Sequence, residues 1–176
     1  MKTLLRLPMI AVSIALALAG LVAYVARASG QAPSAAAFPS KIPAGYRDWK
    51  FVSVAREEAP LDDIRVIVGN EPAIKAYREA KLPFPEGAIL ARLAYSYDAS
   101  SENNQAFGRS QSFVAGHPKN GIQFMVKDSK KYAATGGWGY AQFDAGKLAA
   151  ESMLKTCFPC HQAVQVRDFV FTRYAP

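Results

Sequence analysis

Cys157-Phe158-Pro159-Cys160-His161 uses both cysteines of the 176-residue chain and one of its two histidines. Covalent c-type haem attachment needs two thiols spaced to reach the two vinyl groups of one porphyrin, and a histidine directly after them whose imidazole falls under the iron. All three requirements are met here, which makes Cys157 and Cys160 the candidate attachment points and His161 the candidate proximal iron ligand. A dithiol redox motif would sit early in the chain, after a strand and at a helix start, whereas this one lies near the C-terminus. Zinc would want two more Cys or His ligands, and only His117 remains. The late position also bears on the fold. Small cytochromes c of the ordinary kind carry the pentapeptide near the mature N-terminus of a helical domain. Helical-bundle cytochromes c-prime carry it late but read as amphipathic helices throughout.

This chain reads instead as strands. Trp49 to Val54 and Ile64 to Val68 are aromatic and β-branched runs, the second stopped by Gly69. Ala88 to Tyr97 is the longest, with Ile89, Ala91, Leu93, Tyr95 and Tyr97 on one face at period two. Ile122, Phe124 and Val126 alternate likewise, as do Trp138 and Tyr140 behind two glycines, and Phe169 to Tyr174 closes the series. Asn70 is placed to cap a helix through Glu79 with Pro72 in its first turn and Ile74 and Tyr77 inward. A second helix is expected from Gly146 over Lys147 to Lys155, and Asp98 to Ser112 reads as a loop. The expected class is predominantly antiparallel β with a few short helices (α+β).

The N-terminus carries a basic start (Lys2, Arg6), an apolar run from Met9 to Ala26, and small residues at Ala26, Ala28 and Ala32. That is the pattern of an export signal over residues 1–28, or of an uncleaved membrane anchor, since the run is nearly long enough to span. Residues 29–42, rich in Ala, Pro and Ser, read as a flexible lead-in, leaving 43–176 as the folded domain. Removing the leader takes the formal charge from +7 to +4. No cluster of basic residues remains, so nucleic acid is not an expected partner. A periplasmic or otherwise exported location follows, membrane-anchored if the leader stays. Two cysteines there would normally pair unless something else captured them.

The segments Gly45-Tyr46-Arg47-Asp48-Trp49, Phe84-Pro85-Glu86-Gly87, Met125-Val126-Lys127-Asp128-Ser129, Gly137-Trp138-Gly139-Tyr140, Cys157 to His161 and Asp168-Phe169-Val170-Phe171-Thr172 resemble the cytochrome P-460 family. The resemblance runs from about Pro43 to the C-terminus. It implies a β-rich fold, often a homodimer, with one five-coordinate c-type haem and its iron. Members include hydroxylamine-oxidising enzymes and the β-type cytochromes c-prime, which bind nitric oxide. In the enzymes a lysine on the strand after the Phe-x-x-Gly turn is cross-linked to the porphyrin edge. Aligning that turn on Phe84 to Gly87 puts Arg92 there, and no lysine lies between Leu82 and Gln111. A guanidinium stays protonated and offers no neutral amine for such a bond.

Arg92 stands out without the family as well. It is the only charge between Gly87 and Tyr97, on a strand apolar on both faces, where a charge is costly unless paired. A haem propionate, held through a bidentate fork, is one fitting partner; an edge-strand arginine reaching into water is the other reading. For the sixth iron position the candidates are Met125, Met153 and His117, none compelling. The default is an open apolar pocket, capped by some of Phe124, Trp138, Tyr140 and Phe143. The expectation is an exported cytochrome that binds nitric oxide or a similar diatomic, or exchanges electrons with a small electron-transfer protein. The alternative is a hydroxylamine-oxidising oxidoreductase, which needs a carboxylate near the iron; Glu151 is the nearest acid before the haem motif.

Overall fold

The computed structural model describes residues 38–175, so the export signal and most of the lead-in lie outside the described residues. Six strands form one sheet in chain order, each antiparallel to the next. They are β1 (Lys50–Glu57), β2 (Asp63–Gly69), β3 (Ile89–Ala99), β4 (Phe113–Lys127), β5 (Trp138–Asp144) and β6 (Lys147–Leu148). Helices α1 (Glu71–Arg78), α2 (Ser101–Phe107), α3 (Glu151–Leu154) and α4 (Cys157–His161) are short. The architecture is the expected α+β class, dominated by antiparallel sheet. Among the described residues no helix is long and apolar enough to cross a membrane.

Helix α1 forms where its cap predicts. The Asn70 side chain accepts from the Ala73 amide at 3.3 Å, and Ala73, Ile74 and Ala76 are buried on its inner face. The same Asn70 oxygen accepts from Ile89 N at 2.9 Å, which ties the helix start to the start of β3.

Three local expectations are corrected. The helix from Gly146 is absent: Ala145 (φ 47°) and Gly146 (φ 79°) are both left-handed, between the paired Asp144 and Lys147. That is a two-residue turn of the kind that closes a tight hairpin, so Lys147 and Leu148 become β6 and only Glu151–Leu154 is helical. The Asp98 to Ser112 loop holds α2, capped by Ser100 at one end and stopped by left-handed Gly108 at the other. Finally, Phe169 to Tyr174 forms no strand. Asp168 and Phe169 are both left-handed (φ 51° and 63°), so the chain turns away from the sheet edge. Its apolar residues cover the sheet face instead, with Val170 buried and a single bond from Ala175 N to Val52 O at 2.9 Å.

Strand alternation divides the core in two. Ala91, Leu93, Phe124, Ala141 and Phe143 pack on one face, with Ile89, Tyr95, Ile42, Tyr46 and Trp49 against them. The described end of the lead-in thus supplies cover through Ile42. Val52, Ile67, Leu90, Trp138 and Tyr140 face the other way, against Ile74, Ala76, Phe84 and Val170, with Cys157 and Phe158 beside them. The period-two face read along β3 is therefore the first of these. Arg92 belongs to the second, the one that carries the cysteine-bearing helix.

Candidate functional site

Helix α4 is the pentapeptide itself, Cys157–His161. Positions i, i+3 and i+4 share one helical face, and Cys157, Cys160 and His161 lie together along one side of α4. Pro159 falls within the first turn, where its missing N–H costs the helix nothing. Both cysteines are free, Cys157 half-buried and Cys160 exposed. Burial, reinforced by the neighbouring Cys160, pushes the Cys157 thiol up. Dithiol redox motifs work through the opposite shift, toward thiolate; the environment of Cys157 is wrong for that role.

His161 Nδ1 lies 2.7 Å from the Phe169 carbonyl oxygen. A carbonyl only accepts, so Nδ1 carries the proton and Nε2 keeps its lone pair. Burial, partly opposed by that carbonyl bond, lowers the imidazole's affinity for a second proton. The ring is packed by Tyr140, at 4.9 Å between centroids, and Phe171 at 5.0 Å. A neutral, oriented imidazole with a free Nε2 is what a metal ligand requires. Among the described residues no group of three or more His, Cys, Asp or Glu is placed to hold a metal ion.

The three residues line a cleft of about 690 Å3, within the roughly 300–1,000 Å3 typical of small-molecule and cofactor sites. Its wall has two halves. Leu90, Met125, Tyr140, Val170 and Phe171 make an apolar half beside α4, while Arg65, Arg92, Gln123 and Gln142 make a polar half further along the sheet, with Ile67 opposite Arg92. The polar half is one connected row. Asp63, with no exposed surface, accepts from Arg65 Nε at 2.9 Å on Oδ1 and from an Arg92 terminal nitrogen at 2.6 Å on Oδ2. The other Arg92 terminal nitrogen donates to Gln123 at 3.2 Å, and Gln123 donates to Gln142 at 2.6 Å. Arg65 also reaches Glu57 at 3.3 Å. One Arg65 nitrogen sits 2.9 Å from Asp63 yet is out of line for a hydrogen bond.

A porphyrin with an apolar body and two carboxylates fits this division. The apolar half would take the macrocycle, with Cys157, Cys160 and His161 as the residues that would hold it. The Tyr140 hydroxyl is buried without a partner, a vacancy at the cleft wall that a polar group of a bound cofactor would satisfy.

The sequence-derived candidates distribute unevenly. Arg92 is on the cleft wall, with Asp63 as the carboxylate that neutralises it. Its guanidinium is held below its ordinary range by burial and by Arg65, against the pull of Asp63. Met125 and Met153 line the cleft; His117 does not, being bound to Ser96 at 3.0 Å on the far part of β4. Of the four aromatic candidates Tyr140 faces the cleft and Trp138 packs against Phe84 in the core beside it. The rings of Phe124 and Phe143 pack together on the opposite sheet face. Glu151 is exposed and paired with Lys155 at 2.7 Å; the acid that lines the cleft is Glu57, while Asp63 is buried beneath the two arginines it binds. Sequence reasoning missed Asp63, Arg65, Gln123 and the Phe169 carbonyl. For the first two a signal existed: Asp63, Arg65 and Ile67 alternate at period two, which puts both charges on the face of Ile67.

An antiparallel meander with an amphipathic cleft under a Cys-x-x-Cys-His helix defines a β-rich haem protein. The family model Cytochrome P460 matches residues 43–172, and the chain belongs to that family. A haem cofactor with its iron comes with that membership. Comparison with curated proteins finds no match.

Proposed function

We propose that the protein is an exported c-type cytochrome whose single haem is bound covalently through Cys157 and Cys160 and ligated by His161. Its sixth position is open to nitric oxide or a similar small ligand, or the centre passes single electrons to a small electron-transfer protein. The observation that carries this reading is the His161 tautomer: with Nδ1–H committed to Phe169 at 2.7 Å, only Nε2 is left to bind, and it shares a helical face with both thiols. The haem supplies an iron that changes oxidation state and takes a diatomic ligand. The chain contributes the anchor, the oriented imidazole and a wall of Ile67, Leu90, Met125 and Tyr140 that holds water away. Such a wall suits an uncharged diatomic, which asks for no donor.

The second reading, hydroxylamine oxidation, needs a carboxylate at the cleft; Glu57 lines it but pairs with Arg65 at 3.3 Å, and the other acid beside the wall is the buried Asp63. Both its oxygens already accept from guanidinium groups, which leaves it poorly placed to take protons from a substrate. No lysine lines the cleft among the described residues, and this too favours a binder over an enzyme that depends on a lysine cross-link. A homodimer in the periplasm, anchored if the leader remains, is the assembly this reading expects.

The test is the absorption spectrum of the purified protein, oxidised and reduced, with and without nitric oxide, together with mass spectrometry of the haem peptide. An ordinary c-type spectrum, a ferrous spectrum that changes with nitric oxide, and only two thioether bonds are expected. A red-shifted ferrous band with a third covalent bond would overturn the binder reading in favour of the oxidoreductase.

A further inference from the structure

Lys127 and Asp168 form a second buried ion pair on this side of the sheet, with side chains only 5% and 8% exposed. Neither lines the cleft. Lys127 Nζ donates to both Asp168 oxygens, at 2.8 and 2.9 Å, and to the Gly136 carbonyl at 3.3 Å, while resting 5.1 Å from the centre of the Trp138 ring. Asp168 also accepts from the Phe84 amide at 2.9 Å. Three separate segments, the end of β4, the approach to β3 and the chain beyond α4, therefore meet on one carboxylate.

Asp168 adjoins Phe169, whose carbonyl orients His161. Both residues are left-handed, a conformation that is strained for a residue with a Cβ and persists only where its surroundings hold it. The surroundings here are specific. On one side of the Phe169 carbonyl, the Asp168 carboxylate is locked by Lys127 and Phe84. On the other, the Phe169 ring lies so close over Gly136 that a Cβ there would come within 2.3 Å of it. The carbonyl is thus held from the residue before it and from its own side chain.

We infer that Lys127 and Asp168 are positioning residues: through the left-handed turn at Asp168–Phe169 they fix the hydrogen bond from His161 Nδ1 and so set how strongly His161 donates to the iron. This rests on the reading of His161 as the iron ligand. The physical route is short. A hydrogen bond from Nδ1–H to a fixed acceptor makes Nε2 more electron-rich, which strengthens the iron–histidine bond and favours the ferric state. Loosening the turn lengthens or breaks that bond. The rival explanation is an ion pair that merely fastens the C-terminal segment to the sheet; it affects stability but not the iron.

The experiment uses the haem-loaded protein and its Asp168→Asn, Lys127→Met and Lys127→Arg variants. The readouts are the ferrous iron–histidine stretching frequency by resonance Raman and the midpoint potential. The expected result is a downshifted mode and a raised potential in Asp168→Asn and Lys127→Met, with both moved back toward the wild-type values in Lys127→Arg. Folded, loaded Asp168→Asn and Lys127→Met proteins with unchanged frequency and potential would overturn the inference, however much stability they had lost. If Asp168→Asn yields no folded protein, the two Lys127 variants decide alone by the same criterion, since there the carboxylate keeps its bond to Phe84. A wild type without an iron–histidine mode would instead overturn the assignment of His161, and the inference with it.

Discussion

The row across the cleft wall makes a prediction whose size can be worked out. Asp63 is wholly buried and stands between Arg65 and Arg92, whose side chains are 16% and 15% exposed. Removing one partner of a buried pair costs about 3–5 kcal/mol, because the remaining charge stays desolvated. Here two charges would be stranded, yet neither is left entirely alone: Arg65 keeps Glu57 at 3.3 Å and Arg92 keeps Gln123 at 3.2 Å. We therefore predict the lower end, about 3 kcal/mol, for Asp63→Ala. Asp63→Asn, which retains one acceptor oxygen, should lose less. In a domain approaching 150 residues each kcal/mol moves the melting temperature by about 2–4 °C, so the alanine variant should melt about 6–12 °C lower.

Urea unfolding of the haem-loaded protein, followed by far-ultraviolet circular dichroism, measures this directly. The double variant Asp63→Ala/Arg92→Met supplies the control. If stranded charge is the cause, removing Arg92 as well should recover part of the loss, giving a coupling energy of at least about 1 kcal/mol. A loss below about 1 kcal/mol for Asp63→Ala would refute the reasoning. It would mean that something other than Asp63, a cofactor carboxylate among the possibilities, neutralises the two arginines.

Three further outcomes are expected. Replacing both Cys157 and Cys160 with Ala should abolish haem staining after denaturing electrophoresis; staining that survives would disprove thioether attachment. His161 is buried and its folded-state affinity for a second proton is lowered, so the unfolded chain takes up a proton near pH 6.5 that the folded chain refuses. Stability contributed by this group is thus present above about pH 6.5 and falls as the pH drops below it, and a urea midpoint identical at pH 7.5 and 5.5 would contradict the assignment. Gly139→Ala would bring a Cβ within 2.3 Å of the Tyr132 ring; a cost of about 1–3 kcal/mol is expected for such overpacking, measured by thermal melting, and an unchanged melting temperature would show that the ring moves freely.

The sheet was legible because its strands carry their own evidence. Along β3 the apolar residues at odd positions form one packed face, and tertiary structure had only to agree. Where the pattern misled, a local conformational choice outweighed hydrophobic periodicity. Asp144-Ala145-Gly146-Lys147 contains a good hairpin turn, and two consecutive left-handed residues there pre-empted a helix that Lys147 to Lys155 would otherwise sustain. Phe169 to Tyr174 has strand composition, but left-handed Asp168 and Phe169 direct it over the face of the sheet. Its large side chains then wall the cleft rather than extend the ladder.

The site divides along the same line. The grouping of Cys157, Cys160 and His161 was readable because spacing within one helical turn sets which side chains share a face, which sequence records, and the structure puts all three on one short helix at the cleft. Arg92 was readable as an anomaly, a lone charge on an apolar strand. Its partner was not, because Asp63 and Arg92 are brought together by the register of β2 against β3, and pairing register is a property of two segments at once. The same holds for His161. Its tautomer depends on a backbone carbonyl eight residues away, on a turn held by Lys127 from another strand. If His161 ligates the iron as proposed, an imidazole oriented from β4 would link the electronic character of that ligand to the packing of the sheet. Substitutions at Lys127 should therefore reach the iron without altering a single cleft residue, whereas those at Asp63 should change stability and leave the iron–histidine mode in place. That contrast separates the two buried carboxylates by function as well as by location.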